Sequence, residues 1–167
     1  MTAPTRGAAP APEPSRAGHV LRLERRFAAP RSVVWAAWTD PAALVAWFSP
    51  GFVDTRAVEL DLRPGGGYRF EMRAPMTGET FFVDGEIREV EPPRRLVMTW
   101  RPGAHEPGSE ICETLVTVEL ADRGLECDLT LTQELFPSRA ARDEHRAGWE
   151  YCLEQLAAFL HAALLSG

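Results

Sequence analysis

The sequence predicts an α+β fold, in which an antiparallel sheet of about six to seven strands is covered by one long C-terminal helix. Two observations carry this prediction. Apolar and polar residues alternate in short runs broken by turn residues over residues 19–27 and from Ala57 to about residue 132, and apolar residues recur at helical spacing in the last segment. With 167 residues, 45% of them hydrophobic and 25% charged, the chain is long enough for one domain with a core.

The N-terminal part of the domain predicts one strand and two short helices. Apolar and charged residues alternate over residues 19–27, which is the period of a half-buried strand. Ala29-Pro30 opens a first short helix, because proline is favoured in a first helical turn. Asp40-Pro41 repeats this arrangement, with the Asp40 side chain placed to cap free backbone N–H groups. The second helix is expected to end before Pro50-Gly51.

Short alternating runs separated by turn signals follow the helices. From Ala57 to about Arg101 they predict a meander of about four strands. The clearest hairpin comes next, and its turn is expected at Asp122-Arg123. This register places one set of residues on the covered face of the sheet, namely Thr114, Val116, Val118, Leu120, Leu125, Cys127, Leu129 and Leu131.

The C-terminal segment predicts the long helix that covers the sheet. Its start is expected to be marked by Gly148-Trp149. One stripe recurs at helical spacing over about six turns. The stripe consists of His145, Trp149, Cys152, Leu153, Leu156, Leu160 and Leu164.

Composition excludes several classes of function. The net charge of −6 and pI of about 5.3 argue against nucleic acid and anionic membranes as partners. The chain contains no Lys and no Asn, which favours a GC-rich, bacterial origin and removes Schiff-base chemistry. Residues 1–18 are expected to form a disordered Ala/Pro-rich tail, since they lack the apolar run of a signal peptide. No segment approaches the length of a membrane span, so a cytoplasmic protein is expected.

An ordered series of short motifs carries a family resemblance. The motifs are Ala29-Pro30, Val34-Trp35, Trp38-Thr39-Asp40-Pro41, Trp47-Phe48, Gly67-Tyr68, Gly85, residues 91–96, Thr99-Trp100 and Gly148-Trp149. With them the sequence resembles the START-like (SRPBCC) superfamily, in the branch related to the C-terminal domain of the activator of heat-shock protein 90 ATPase. The resemblance covers one domain, residues 19–165. It implies the helix-grip fold, a sheet curved around the C-terminal helix, but no shared catalytic motif.

A sheet that wraps a helix tends to leave an apolar cavity between them, which is a usual site for small molecules. Large apolar side chains on the inward faces are its expected walls, although each is more often simply part of a core. The candidate ligand-binding residues are Trp47, Phe48, Tyr68, Phe70, Met72, Trp100, His145, Trp149 and Cys152.

Two titratable residues are catalytic candidates. His145 is expected near the start of the helix, where a partly buried imidazole can act as acid, base or ligand donor, unless it is simply half-exposed. Glu86 qualifies only if it faces inward together with Arg88. Parity leaves their direction open, because both Phe81 and Phe82 are apolar and a bulge near Gly85 would reverse the phase.

No metal site, cofactor or nucleotide motif is predicted, since the histidines and the three cysteines lack ligand spacing. The cysteines are expected to be buried thiols. The leading hypothesis is therefore the binding of a small hydrophobic or aromatic molecule between the sheet and the C-terminal helix. An enzyme of cyclase, dehydratase or hydrolase type using the same pocket is the alternative. The resemblance further implies a chaperone ATPase-associated role and is compatible with a homodimer.

Overall fold

The computed structural model describes residues 19–51, 53–103 and 113–166 of the chain. The expected tail, residues 1–18, and Cys112 lie outside the described residues. The elements in chain order are β1 (Leu21–Phe27), α1 (Arg31–Thr39), α2 (Pro41–Trp47), β2 (Asp54–Leu60), β3 (Gly67–Arg73), β4 (Thr80–Glu91), β5 (Arg95–Pro102), β6 (Thr114–Arg123), β7 (Glu126–Glu134) and α3 (Arg139–Ser166).

The strands form one seven-stranded antiparallel sheet in the order β1-β7-β6-β5-β4-β3-β2. The last strand returns to pair with the first, so the two halves of the chain meet along β1 and β7. Helix α3 packs against β1, α1 and α2. The predicted α+β class, with two short helices after the first strand and a long C-terminal helix, is confirmed. In the part of the chain described, no helix is both long and apolar enough to cross a membrane.

Local sequence rules explain the two short helices. The Asp40 side chain accepts a hydrogen bond from the backbone N–H of Ala42 at 3.1 Å, and Pro41 occupies the first position of α2. The buried face of α1 includes Val34 and Trp38, four residues apart. The cap predicted from the sequence is therefore confirmed.

The hairpin of β6 and β7 turns at Gly124-Leu125, so the expected turn at Asp122-Arg123 is wrong. Gly124 adopts a φ of +74°, and the Asp122 carboxylate accepts a hydrogen bond from its N–H at 2.9 Å. Leu125 consequently lies in the turn and is 83% exposed. The change of register is even, so the other members of the predicted inward set still face the core and are buried.

Strand β4 bulges between Ile87 and Glu89, and not near Gly85. Ile87 is buried on the inner side, while Glu86 and Arg88 are each about half exposed and pair at 3.8 Å. Both side chains therefore face solvent. The expectation that Glu86 serves the cavity as a catalytic or anchoring group is corrected, because its phase is that of the outer face.

Helix α3 begins at Arg139, so Gly148-Trp149 lies well inside it and does not mark its start. The Ser138 hydroxyl accepts a hydrogen bond from Ala141 N at 3.1 Å and acts as the cap. The start at Arg139 was not predicted from the sequence because the first turns of α3 carry charged side chains and no apolar stripe. The buried stripe ends at Leu160, and the expected member Leu164 is 46% exposed.

Candidate functional site

A cavity of about 590 Å³ lies between α3 and the sheet. The segment between α2 and β2 closes one side through Pro50 and Val53, and strands β3 to β5 provide the opposite wall. Helix α3 contributes the stretch from Glu144 to Cys152. This volume falls in the range of pockets that hold small organic ligands.

Three aromatic rings form the inner wall, and we call Phe48, Trp100 and Trp149 the aromatic triangle. Their ring centroids lie 5.9 Å apart for Phe48 and Trp100, 5.7 Å for Phe48 and Trp149, and 5.1 Å for Trp100 and Trp149. All three residues are at most 5% exposed. Such tilted contacts are the preferred geometry of aromatic pairs and hold each ring in place.

One face of α3 contributes exposed residues to the lining of the cavity, and we call Glu144, Ala147 and Tyr151 the mouth. All three are exposed and line the cavity. Gly148 lies beside them and brings the helix backbone close to Pro50: a Cβ built on Gly148 would meet the Pro50 Cβ at 3.7 Å. The cavity therefore runs from a polar opening to an apolar, aromatic interior.

His145 lies next to the mouth and is half-buried. Its Nδ1 is 2.9 Å from the carbonyl oxygen of Ala141, and its ring centroid is 5.0 Å from that of Phe136. A carbonyl oxygen only accepts, so Nδ1 carries the proton and Nε2 of the neutral imidazole carries a lone pair. The contacts with Ala141 and Phe136 thus favour the tautomer with the proton on Nδ1 and orient the His145 ring.

A buried chain of hydrogen bonds holds the aromatic triangle from behind. Gln133 is fully buried, and its Oε1 accepts from the Trp149 indole N–H at 2.7 Å. Its amide nitrogen donates to Thr114 Oγ1 at 2.8 Å, and the Thr114 hydroxyl donates to the Trp100 carbonyl at 3.1 Å. The one donor of Trp149 is consumed here, so this residue offers the cavity an apolar ring surface.

The structure brings together six of the nine predicted ligand-binding residues, namely Phe48, Met72, Trp100, His145, Trp149 and Cys152. The other three support the wall from behind. Trp47 donates its indole N–H to the Ala37 carbonyl at 2.8 Å. Tyr68 donates its hydroxyl to the Thr99 carbonyl, and the Phe70 ring lies 4.8 Å from that of Phe48. These three residues therefore belong to the core and do not line the cavity.

Sequence reasoning missed the mouth and Gln133. Glu144, Ala147 and Tyr151 are spaced by three and four, which is one helical face, but two of the three lie before the point where the helix was expected to start. Gln133 continues the inward alternation of Cys127, Leu129 and Leu131, so a polar residue at a core position was a visible signal. In residues 19–51, 53–103 and 113–166, no group of three or more His, Cys, Asp or Glu side chains could hold a metal ion.

Burial makes both described cysteines poor nucleophiles. It raises the pKa of the Cys152 thiol, in the cavity wall, to about 12, and that of Cys127 to about 11. A thiol with a pKa near 12 is about one part in 10,000 thiolate at pH 8. The thiolate is the reactive form, so Cys152 is suited to packing and unsuited to nucleophilic catalysis.

We therefore expect a Cys112→Ser variant to react with a disulfide reagent such as Ellman's reagent far more slowly when folded than when unfolded in urea. The substitution removes the cysteine outside the described residues. The measurement is the rate of thiol release at pH 8, compared with that of free cysteine. If the folded variant reacted stoichiometrically at the rate of free cysteine, the two thiols would be accessible and their pKa values would not be raised.

Comparison with known proteins gives one matching family and several similar solved structures. The sequence model of one family, described as activator of Hsp90 ATPase homolog 1-like protein, matches residues 28–161. Protein CV1439 from Chromobacterium violaceum is 32% identical over 86% of this chain and 97% of its own, with a TM-score of 0.75. The AHSA1 protein SPO3351 from Silicibacter pomeroyi is 27% identical over 86% and 99%, with a TM-score of 0.76. CalU16 from Micromonospora echinospora is 27% identical over 88% and 79%, with a TM-score of 0.62. No curated protein matches the chain.

Proposed function

Since the chain belongs to the activator of Hsp90 ATPase homolog 1-like family, within the START-like superfamily, we propose that it binds a small hydrophobic or aromatic molecule in the cavity beside Trp149. The observation that carries the proposal is the aromatic triangle, which forms the inner wall of a cavity that its own side chains do not fill. Interiors are normally packed to the density of organic crystals, so an apolar cavity of this volume is typical of a binding site.

The apolar wall sets a rough scale for the affinity. A ligand that buries about 200 Å² of apolar surface gains about 5 kcal/mol, at about 25 cal/mol per Å². Part of this gain offsets the freedom that the ligand loses on binding, so a dissociation constant of about 0.2 mM is the tightest that this area supports, and a larger ring system would bind more tightly. Binding of bicyclic aromatic molecules should therefore be measurable at ordinary protein concentrations.

Gly148→Leu is expected to abolish this binding while the protein stays folded. A Cβ has room at Gly148, with the Pro50 Cβ at 3.7 Å, and the longer side chain then occupies the cavity near its mouth. Replacing a glycine inside a helix also removes a conformational cost of about 0.5–1 kcal/mol. The measurement is a titration with 2-naphthol, followed by tryptophan fluorescence and by the shift in Tm.

Ala158→Leu is the matched control, since Ala158 is exposed on the same helix and does not line the cavity. This variant should bind like the wild type. Saturable binding that survives Gly148→Leu would place the ligand elsewhere, and the proposal would then be abandoned.

An enzymatic role in the same pocket would require two titratable groups that converge on a substrate. His145 lines the cavity, but Glu86 faces solvent on the outer side of the sheet, so the two candidates do not meet. Association with a chaperone ATPase has only the family name in its support. The cytoplasmic location, the homodimer and the disordered tail stay predictions from the sequence.

A further inference from the structure

We propose that the ligand is a neutral aromatic molecule with a hydroxyl group, whose O–H donates a hydrogen bond to Nε2 of His145. This inference rests on the proposed function and deepens it, because it assigns the chemistry of the ligand's polar end. Three features of the cavity support it. They are the oriented His145 imidazole, the Trp149 indole N–H that already donates to Gln133, and the Glu144 carboxylate at the mouth.

The His145 imidazole offers Nε2 as an acceptor for a hydrogen bond from the ligand. Its Nδ1 proton is held by the Ala141 carbonyl, and the ring packs on Phe136. Nε2, on the other side of the ring, has no hydrogen-bond partner among the residues that the structure describes and is not sealed in the core. A fixed, unused acceptor beside an apolar cavity is matched by a ligand that brings a donor.

The inner wall offers an aromatic body the right surface. Trp149 gives its N–H to Gln133 and so presents only its ring, and Phe48 presents a ring without any polar atom. Met72 adds a polarisable thioether side chain, which makes favourable contacts with aromatic rings. An aromatic ligand is therefore expected to lie with its rings against the aromatic triangle and its polar group toward His145.

The charges disfavour an anion. No arginine lines the cavity among the described residues, while the Glu144 carboxylate lies at the mouth. A carboxylate moved into this cavity would lose its hydration without gaining a guanidinium partner. A hydroxyl group carries no such cost, so fatty acids and aromatic acids are expected to bind poorly.

The test compares three probes of one shape: 2-naphthol, its methyl ether and 2-naphthoate at pH 7.5. Wild type is expected to bind 2-naphthol about fivefold more tightly than the ether, because one neutral hydrogen bond changes the affinity by about this factor. It should bind naphthoate at least about tenfold more weakly than naphthol. His145→Phe keeps a ring of similar size and removes the acceptor, so the preference for naphthol over its ether should vanish.

His161→Phe, at an exposed position of the same helix, is the control and should keep the preference. His145→Ala repeats the measurement with a smaller side chain should the Phe variant fold poorly. The ratio of affinities is the readout, because a purely structural role of His145 would weaken both probes alike. Equal affinity of naphthol and ether in the wild type, a preference that survives in both His145 variants, or tightest binding of naphthoate would each overturn the inference. If none of the three probes binds, the proposed function itself fails.

Discussion

Gly85→Ala is expected to destabilise the protein by about 3 kcal/mol. A Cβ built on Gly85 would lie 2.2 Å from the carbonyl oxygen of Thr99 and 2.8 Å from Cε1 of Tyr68. The first of these atoms belongs to the backbone of the central strand β5, so it cannot turn away as a flexible side chain would. The measurement is the free energy of unfolding in urea, from the midpoint and slope of the transition.

The effect follows from how the wall behind the cavity is built. Tyr68 pairs with Gly85 across β3 and β4, and its hydroxyl reaches the Thr99 carbonyl on β5. Any side chain at Gly85 separates this ring from the strand that it covers. Gly67→Ala is the matched control, since its Cβ would meet only the Gly85 oxygen, at 3.9 Å, and the cost should stay within about 0.5 kcal/mol. Equal stability of the two alanine variants would contradict the packing described here.

Gln133→Leu is expected to cost about 2–3 kcal/mol, although it replaces a polar residue with an apolar one in the core. The change leaves the buried indole N–H of Trp149 without an acceptor and removes a donor from Thr114. A buried polar group without a partner costs about 1–3 kcal/mol. Unfolding in urea measures the loss, and weaker binding of 2-naphthol should accompany it because Trp149 is no longer fixed.

A double-mutant cycle separates the hydrogen bond from simple loss of volume. Trp149→Phe removes the indole N–H, so it should cost less stability in the Gln133→Leu background than in the wild type. The expected coupling is about 1 kcal/mol. Strictly additive effects would mean that Gln133 does not act through Trp149.

Much of the fold was predictable because its signals are local. The Asp40 cap, the turns between the meander strands and the alternation along β6 and β7 depend on residues near one another in the sequence. The errors arose where local signals allow two answers. Gly124, with its positive φ, and Asp122-Arg123 both suit a turn, and only pairing of the whole strands decides between them.

The site was only partly predictable, because it depends on long-range packing. Alternation places Tyr68, Phe70 and Met72 on one face, but Met72 reaches the cavity while rings from distant segments, Phe48 and Trp100, pack against the other two. The direction of Glu86 could not be read from two neighbouring apolar residues, Phe81 and Phe82; burial of Val83 and Ile87 in the paired strand sets the phase that turns Glu86 to solvent. The start of α3 was concealed because its first turns face solvent and lack an apolar stripe.

The most direct test of the central claim is a crystal structure of the protein grown with 2-naphthol at a saturating concentration. We expect density for the rings against Phe48, Trp100 and Trp149, with the ligand oxygen within hydrogen-bond distance of His145 Nε2. An empty cavity beside Trp149, with the ligand bound elsewhere on the protein, would contradict it.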